Sequence, residues 1–203
     1  MPPASYSFTL LRHGESLGNA QGFSQGQTDF PLTETGLQQA RDLVARWKSE
    51  GVGFDQIISS PLTRARQTAE VIGGTLDVPI DLDPDWSERS FGSLEGIPFA
   101  EVARLDPSID FFFTYSPLGG DGESLPDLFQ RARQAIDRLI CRPPGRYLVV
   151  SHGVILNAAL LTILGFDAQP EPTRARFSFG NTAYASLSYD PARTLWKIIS
   201  LDN

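Results

Sequence analysis

Two short apolar runs in this chain end in the same way. Leu10-Leu11 is followed by Arg12-His13-Gly14, Val149-Val150 is followed by Ser151-His152-Gly153, and these are the only two histidines. A run of this kind reads as a buried β-strand, and a glycine just past its end lets the chain turn sharply away. Each run therefore delivers one imidazole to the C-terminal end of a strand. Two such placements suggest one shared site. Imidazole is the one side chain whose ordinary pKa lies near neutrality. His13 also has Arg12 beside it and Gly14-Glu15-Ser16 behind it, a setting that suits phosphate chemistry.

The rest of the chain alternates strand-like and helix-like stretches. Strands are expected at Ser7 to Leu11, Phe54 to Ser59, Pro79 to Leu82, Arg146 to Val150, Ala183 to Tyr189 and Leu195 to Leu201. Thr33 reads as the N-cap of a helix from about Gly36 to Ser49, with Leu37, Ala40, Leu43, Val44 and Trp47 on one face. Ser60-Pro61 reads as the start of a helix to about Ile72, since proline suits the first helical position. Further helices are expected from Leu125 to Cys141, broken by Pro143-Pro144-Gly145, and from Val154 to Leu164. This alternation predicts an α/β fold: a three-layer α/β/α sandwich with a mostly parallel central sheet. One domain covers residues 1–203 in this reading, with an insertion at about 97–122 where Phe99, Phe111-Phe112-Phe113 and Tyr115 interrupt the rhythm. That insertion reads as a lid, Phe111 to Phe113 as its packing, and the Gly119-Gly120-Asp121-Gly122 run as a flexible flap end. The glycine run lacks the lysine and the spacing of a P-loop.

The net charge of −7 argues against a nucleic-acid partner. The longest apolar stretch, Ala158 to Leu164, is too short to span a bilayer. Met1-Pro2-Pro3 shows no secretory signal and Cys141 is the single cysteine, so a cytoplasmic setting is expected. Oligomeric state is not readable.

In doubly wound sheets ligands gather beyond the C-terminal ends of the strands. Arg12 and His13 arrive there from the first strand, Arg64 from the helix after the second, and His152 from a later strand. Glu88 follows the third. Two imidazoles, two guanidiniums and a carboxylate converge on one rim. These residues also carry a family resemblance. Leu10-Leu11-Arg12-His13-Gly14-Glu15-Ser16 with Asn19, the block Leu32 to Ala40, and Ser59-Ser60-Pro61-Leu62-Thr63-Arg64-Ala65-Arg66-Gln67-Thr68-Ala69 resemble the histidine phosphatase superfamily, in its phosphoglycerate mutase-like branch. The segments Ser87 to Gly96 and Val149 to Gly153 continue that resemblance.

The resemblance implies a phosphohistidine mechanism without metal or other cofactor. His13 would be the nucleophile and Glu88 the general acid and base. Arg12, Arg64 and His152 would surround the phosphoryl oxygens. Asn19 and Gln25 would donate hydrogen bonds to phosphate or substrate. Against Glu88 stand other nearby carboxylates, namely Asp83, Asp85, Glu95 and Glu123; Glu95 and Arg66 read as structural. The expected partner is a small-molecule phosphomonoester. Between Gly96 and Gly122 the one basic residue is Arg104. This favours a phosphatase over a phosphoglycerate mutase, which needs cations for a carboxylate, and points to a leaving group with apolar or uncharged surface. A non-catalytic module that merely recognises a phosphorylated ligand is the third reading.

Overall fold

In the computed structural model, residues 6–170 and 176–202 are described; the Met1-Pro2-Pro3 start lies outside them. Six strands form one sheet: β1 (Tyr6–Arg12), β2 (Gln56–Ser59), β3 (Ile80–Leu82), β4 (Arg146–Ser151), β5 (Tyr184–Asp190) and β6 (Leu195–Asp202), in the order β3-β2-β4-β1-β5-β6. The four strands β3, β2, β4 and β1 run parallel, and β5 and β6 extend the sheet antiparallel from β1. The expected α/β sandwich with a mostly parallel sheet is the fold observed.

Helices cover both faces because the central strands are apolar on both sides. In β1, Phe8 and Leu10 face one core and Leu11 the other. In β4, Tyr147 and Val149 face the first core, Leu148 and Val150 the second. The first core is completed by α5 (Leu125–Ile140) and α6 (Gly153–Ile163), which pack together. The second is completed by α2 (Glu34–Ser49) and α3 (Thr63–Leu76), which also pack together. Helix α6 is apolar nearly all round, with Val154 to Leu161 buried, as a helix enclosed by other elements must be.

This layering positions the site. The chain leaves β1 toward α2 on one face and leaves the adjacent β4 toward α6 on the other. Between two parallel neighbours whose connections diverge, a crevice opens at their C-terminal ends. Arg12 pairs with Ser151 across the last rung, so His13 and His152 leave the sheet side by side.

Two details depart from the sequence reading. Helix α3 starts at Thr63, two residues after Pro61, and runs to Leu76, beyond Ile72. Its N-terminus is held from outside: the Asp29 carboxylate accepts from the Thr63 backbone N–H at 2.7 Å and from its hydroxyl at 2.6 Å. A carboxylate distant in sequence thus satisfies an orphan helix donor, which local spacing does not reveal. Two short helices were also not expected, α1 (Leu17–Gln21) and α4 (Phe99–Leu105), the latter inside segment 97–122. Thr33 does cap α2, accepting from Gly36 N at 3.0 Å.

Candidate active site

Beyond β1 and β4 lies a cleft of about 260 Å³. Its inner wall carries Arg12, His13, Asn19, Gln25, Arg64 and Glu88. These come from β1, α1, α3 and the loops that follow β1, α1 and β3.

The loop after β1 is built to fix His13. A Cβ on Gly14 would lie 2.5 Å from the Gly36 carbonyl oxygen, so the first turn of α2 can approach only a glycine here. The next three N–H groups each find an acceptor from a different helix. Gly14 N donates to Thr68 Oγ1 of α3 at 3.1 Å, Glu15 N to Gln39 Oε1 of α2 at 2.8 Å, and Ser16 N to Asn19 Oδ1 of α1 at 3.1 Å. Buried backbone donors left unpaired would cost about 1–3 kcal/mol each, so these side chains hold the loop in one conformation.

His13 is almost fully buried, and its Nδ1 lies 2.7 Å from the Gly14 carbonyl oxygen. A carbonyl only accepts, so Nδ1 carries the proton and Nε2 offers its lone pair to the cleft. Burial, then the charges of Arg64 and Arg12, hold the His13 pKa well below the ordinary 6.5; the Gly14 hydrogen bond pulls weakly the other way. The ring is therefore a neutral imidazole at neutral pH.

Arg64 is fully buried and donates three of its five N–H groups: Nε to His152 Nδ1 at 3.1 Å, Nη1 to the Thr28 carbonyl at 2.9 Å and Nη2 to the Gly26 carbonyl at 2.6 Å. Desolvation lowers its pKa to about 10, with Glu88 acting in the opposite direction, so it remains a cation. Arg12 donates Nη1 to the Phe179 carbonyl at 2.6 Å, while its Nε is buried with no hydrogen-bond partner among the described residues. A guanidinium N–H desolvated in this way, without an acceptor, is suited to binding an anion.

His152 is brought within 5.1 Å of His13, ring centroid to centroid, but it does not line the cleft. Its Nδ1 accepts from Arg64, so Nε2 must carry the proton, which it donates to Ser60 Oγ at 2.7 Å. Both ring nitrogens are occupied. Through Nδ1 His152 holds Arg64, and through Nε2 it is tied to Ser60. Burial, followed by Arg64, His13, Arg12 and Arg131, keeps its pKa well below 6.5.

Glu88 sits at the N-terminus of α6, whose N-cap residue provides no side-chain cap. Its Oε1 accepts from Arg89 N at 2.9 Å and Ile155 N at 3.1 Å, and its Oε2 from Val154 N at 3.2 Å. The carboxylate is thus aimed by three backbone donors and keeps acceptor capacity on Oε2. The competing carboxylates are all committed elsewhere. Glu123 forms a two-pronged ion pair with Arg131, at 2.8 and 2.6 Å, and Asp83 and Asp85 pair with Arg138. Glu95 accepts from Gln27 N, Phe91 N, Ser90 Oγ and Thr28 Oγ1, tying together the two loops that flank Gly26. Arg66 pairs with Glu70 on the surface at 3.6 Å.

The amide oxygens of Asn19 and Gln25 are both taken. Asn19 Oδ1 accepts from Ser16 N and Asn181 Nδ2, and Gln25 Oε1 from Ser16 Oγ. Their amide nitrogens are therefore the ends free to donate. Asn181 escaped the sequence reading; its Nδ2 also reaches the His13 carbonyl at 3.2 Å. Beside it Thr182 adopts φ +58°, a left-handed conformation costly for a β-branched residue, and its N–H donates to that same carbonyl at 3.3 Å.

The outer wall consists of Phe91, Phe99, Phe111 and Phe112, with Arg176 at the mouth. Phe111 packs on Phe91 at 4.4 Å and on Phe99 at 5.5 Å between centroids, so these rings both pack and face the cleft. Arg89, completely buried, clamps this segment by donating to the carbonyls of Phe111, Thr114 and Glu123. The Gly119 to Gly122 run is not a loose flap end. A Cβ on Gly122 would lie 2.7 Å from Gly92 N, the backbones touch, and Ser93 N donates to Asp121 Oδ1 at 2.7 Å. Arg104 pairs with Glu101 on the exposed side of α4.

With this geometry in place, the family comparison is decisive. The profile of the histidine phosphatase superfamily (branch 1) matches residues 8–202. The chain belongs to the histidine phosphatase superfamily. A probable phosphoglycerate mutase GpmB from Yersinia pestis (strain Pestoides F) is 36% identical over 166 residues, covering 80% of this chain and 76% of the relative. Among solved structures, a phosphoserine phosphatase variant from Entamoeba histolytica, in complex with phosphoserine, superposes with a TM-score of 0.79 at 28% identity, covering 98% of this chain and 97% of that one. A mycobacterial glucosyl-3-phosphoglycerate phosphatase has the same fold, with a TM-score of 0.83 at 24% identity and 98% coverage of both chains. The superfamily thus includes phosphatases and mutase-like relatives of this chain. No helix among the described residues is long and apolar enough to cross a membrane.

Proposed function

We propose that this protein is a cytoplasmic phosphomonoesterase that works through a phosphohistidine on His13 and requires no metal. The observation that carries this reading is the neutral, Nδ1-protonated His13 facing a cleft in which, among the described residues, Arg12 Nε has no partner and Arg64 retains two unused N–H groups. His13 Nε2 attacks phosphorus as the P–O bond to the alcohol breaks, and Glu88 gives its proton to the departing alkoxide. Water then attacks the phosphohistidine, Glu88 takes back a proton, the N–P bond breaks and orthophosphate leaves. Arg12 and Arg64 bind the phosphoryl oxygens throughout, and supply the positive charge that a metal would otherwise bring. His152 acts by holding Arg64, and the amide nitrogens of Asn19 and Gln25 add donors.

A phosphoglycerate mutase is the second reading. The relatives named probable phosphoglycerate mutase favour it, and so does Arg176, a cation at the cleft mouth that lies outside segment 97–122. A module that binds without turnover has no use for a nucleophile and an acid placed together. Incubation with 3-phosphoglycerate and a panel of monoesters, with chelator present, separates the readings. Release of orthophosphate from several esters supports the phosphatase, isomerisation to 2-phosphoglycerate supports the mutase, and inhibition by chelator removes the metal-free mechanism.

A further inference from the structure

The cleft is cationic at both ends. Arg12 and Arg64 occupy the inner end, and Arg176 stands at the mouth with its guanidinium carbon 4.9 Å from the centroid of the Phe112 ring. Among the described residues Arg176 pairs with no carboxylate, whereas most other arginines described above have one or bind backbone carbonyls. The segment bearing it is nevertheless anchored on both sides. Phe177 N donates to the buried Asn157 Oδ1 at 2.8 Å, and the Phe179 carbonyl accepts from Arg12. A planar guanidinium seated on an aromatic face keeps its N–H edge free for a two-pronged contact with an oxyanion. Between the two cationic ends lie phenylalanine rings and Val154, which give an incoming group mostly apolar contact, with Ser178 as a polar neighbour of Arg176 in the lining.

We propose that Arg176 is a specificity-determining residue, selecting phosphomonoesters whose alcohol is an apolar, ring-sized body ending in a carboxylate. The inference rests on the phosphomonoesterase reading and refines it. The volume of about 260 Å³ holds a phosphoryl group and one ring rather than a long chain. It also adds one terminal charge to the expected leaving group with apolar or uncharged surface, an expectation that considered cations within segment 97–122 alone. The phosphoryl group goes to the inner arginines, the ring lies among Phe99, Phe111 and Phe112, and the carboxylate meets the free edge of Arg176.

Two esters that differ only in the carboxylate, phenyl phosphate and 4-carboxyphenyl phosphate, test this with wild type, Arg176→Ala and Arg176→Lys. Wild type should prefer the carboxylated ester about tenfold in kcat/KM, chiefly through KM. The preference should vanish in Arg176→Ala and fall to an intermediate value in Arg176→Lys, which keeps the charge and loses the fork. Equal loss on both esters, or an unchanged ratio, overturns the proposal. If wild type hydrolyses neither ester nor any member of the monoester panel, the phosphomonoesterase reading fails by itself. Calorimetric affinities of the two esters for wild type and Arg176→Ala then decide the role of Arg176: the same tenfold contrast sustains it, and equal affinities end it.

Discussion

At the inner end of the cleft Arg64, Glu88 and Asn19, with His152 behind them, are each fixed by two or more hydrogen bonds, whereas the outer end is four phenylalanine rings, Ser178 and a guanidinium seated on one of the rings. The inner groups must stabilise charge that appears only during reaction, and donors already fixed in place need no reorganisation at that moment. The outer groups have only to exclude water and fit an alcohol, which rings do without directional bonds. In the proposed reading, chemistry is therefore assigned to the strand ends and selectivity to segment 97–122 with Arg176. Substitutions at the two ends should fail in different ways.

The largest effect is expected from His13→Ala, which removes the nucleophile and should lower kcat by at least about 10⁴-fold on every ester. A monoester panel checks it; a loss confined to some esters would mean that the inner end also selects substrate. Glu88→Gln should cost about 10³-fold on alkyl esters and clearly less on a nitrophenyl ester, whose leaving group needs little protonation. Plotting rate against leaving-group pKa measures that difference.

At the outer end, Arg89→Ala takes a buried cation from the carbonyls of Phe111, Thr114 and Glu123. It should cost about 3 kcal/mol in denaturant unfolding.

The pH response belongs to the inner end. His13 and His152 both titrate well below 6.5 when folded, so below pH 6.5 the unfolded chain binds protons that the native state refuses. Their contribution is fully present above pH 6.5 and is lost as pH falls, by about 1.4 kcal/mol per histidine per pH unit. Unfolding followed from pH 7 downward should show it, and His13→Asn should halve the slope. The acid limb of kcat/KM should likewise lie below 6.5.

The smallest effect is expected from Ser60→Ala. It frees the His152 tautomer that receives Arg64 Nε, and should cost about fivefold in kcat/KM with a matching loss of vanadate affinity.

The same contrast explains what could be read from the chain. Strand ends are marked by apolar runs closed by glycine, so His13, His152 and Arg12 could be placed at one sheet edge before any coordinates. The resemblance blocks reached further than the reacting groups: Gln39 and Thr68 lie in them and serve as acceptors for the loop after β1. What the sequence did not reveal were pairings across long separations. Asp29 on α3, Asn181 on the His13 carbonyl and Arg89 on the carbonyls of segment 97–122 have no local spacing to betray them. The aromatic rim follows neither a period of two nor one of 3.6, so its two roles, packing and lining, could not be separated. His152 shows that proximity and contact differ: the ring stands beside His13, yet both its nitrogens are turned to Arg64 and Ser60.

The central claim is that phosphorus is transferred to His13. The direct measurement is rapid quench during turnover, followed by mass-spectrometric mapping of the phosphorylated peptide. The account predicts an acid-labile, alkali-stable phosphoryl group on the peptide that contains Leu11-Arg12-His13-Gly14, absent from His13→Ala. A hydroxylamine-sensitive acyl phosphate, a phosphoserine, or turnover without any label on His13 would contradict it.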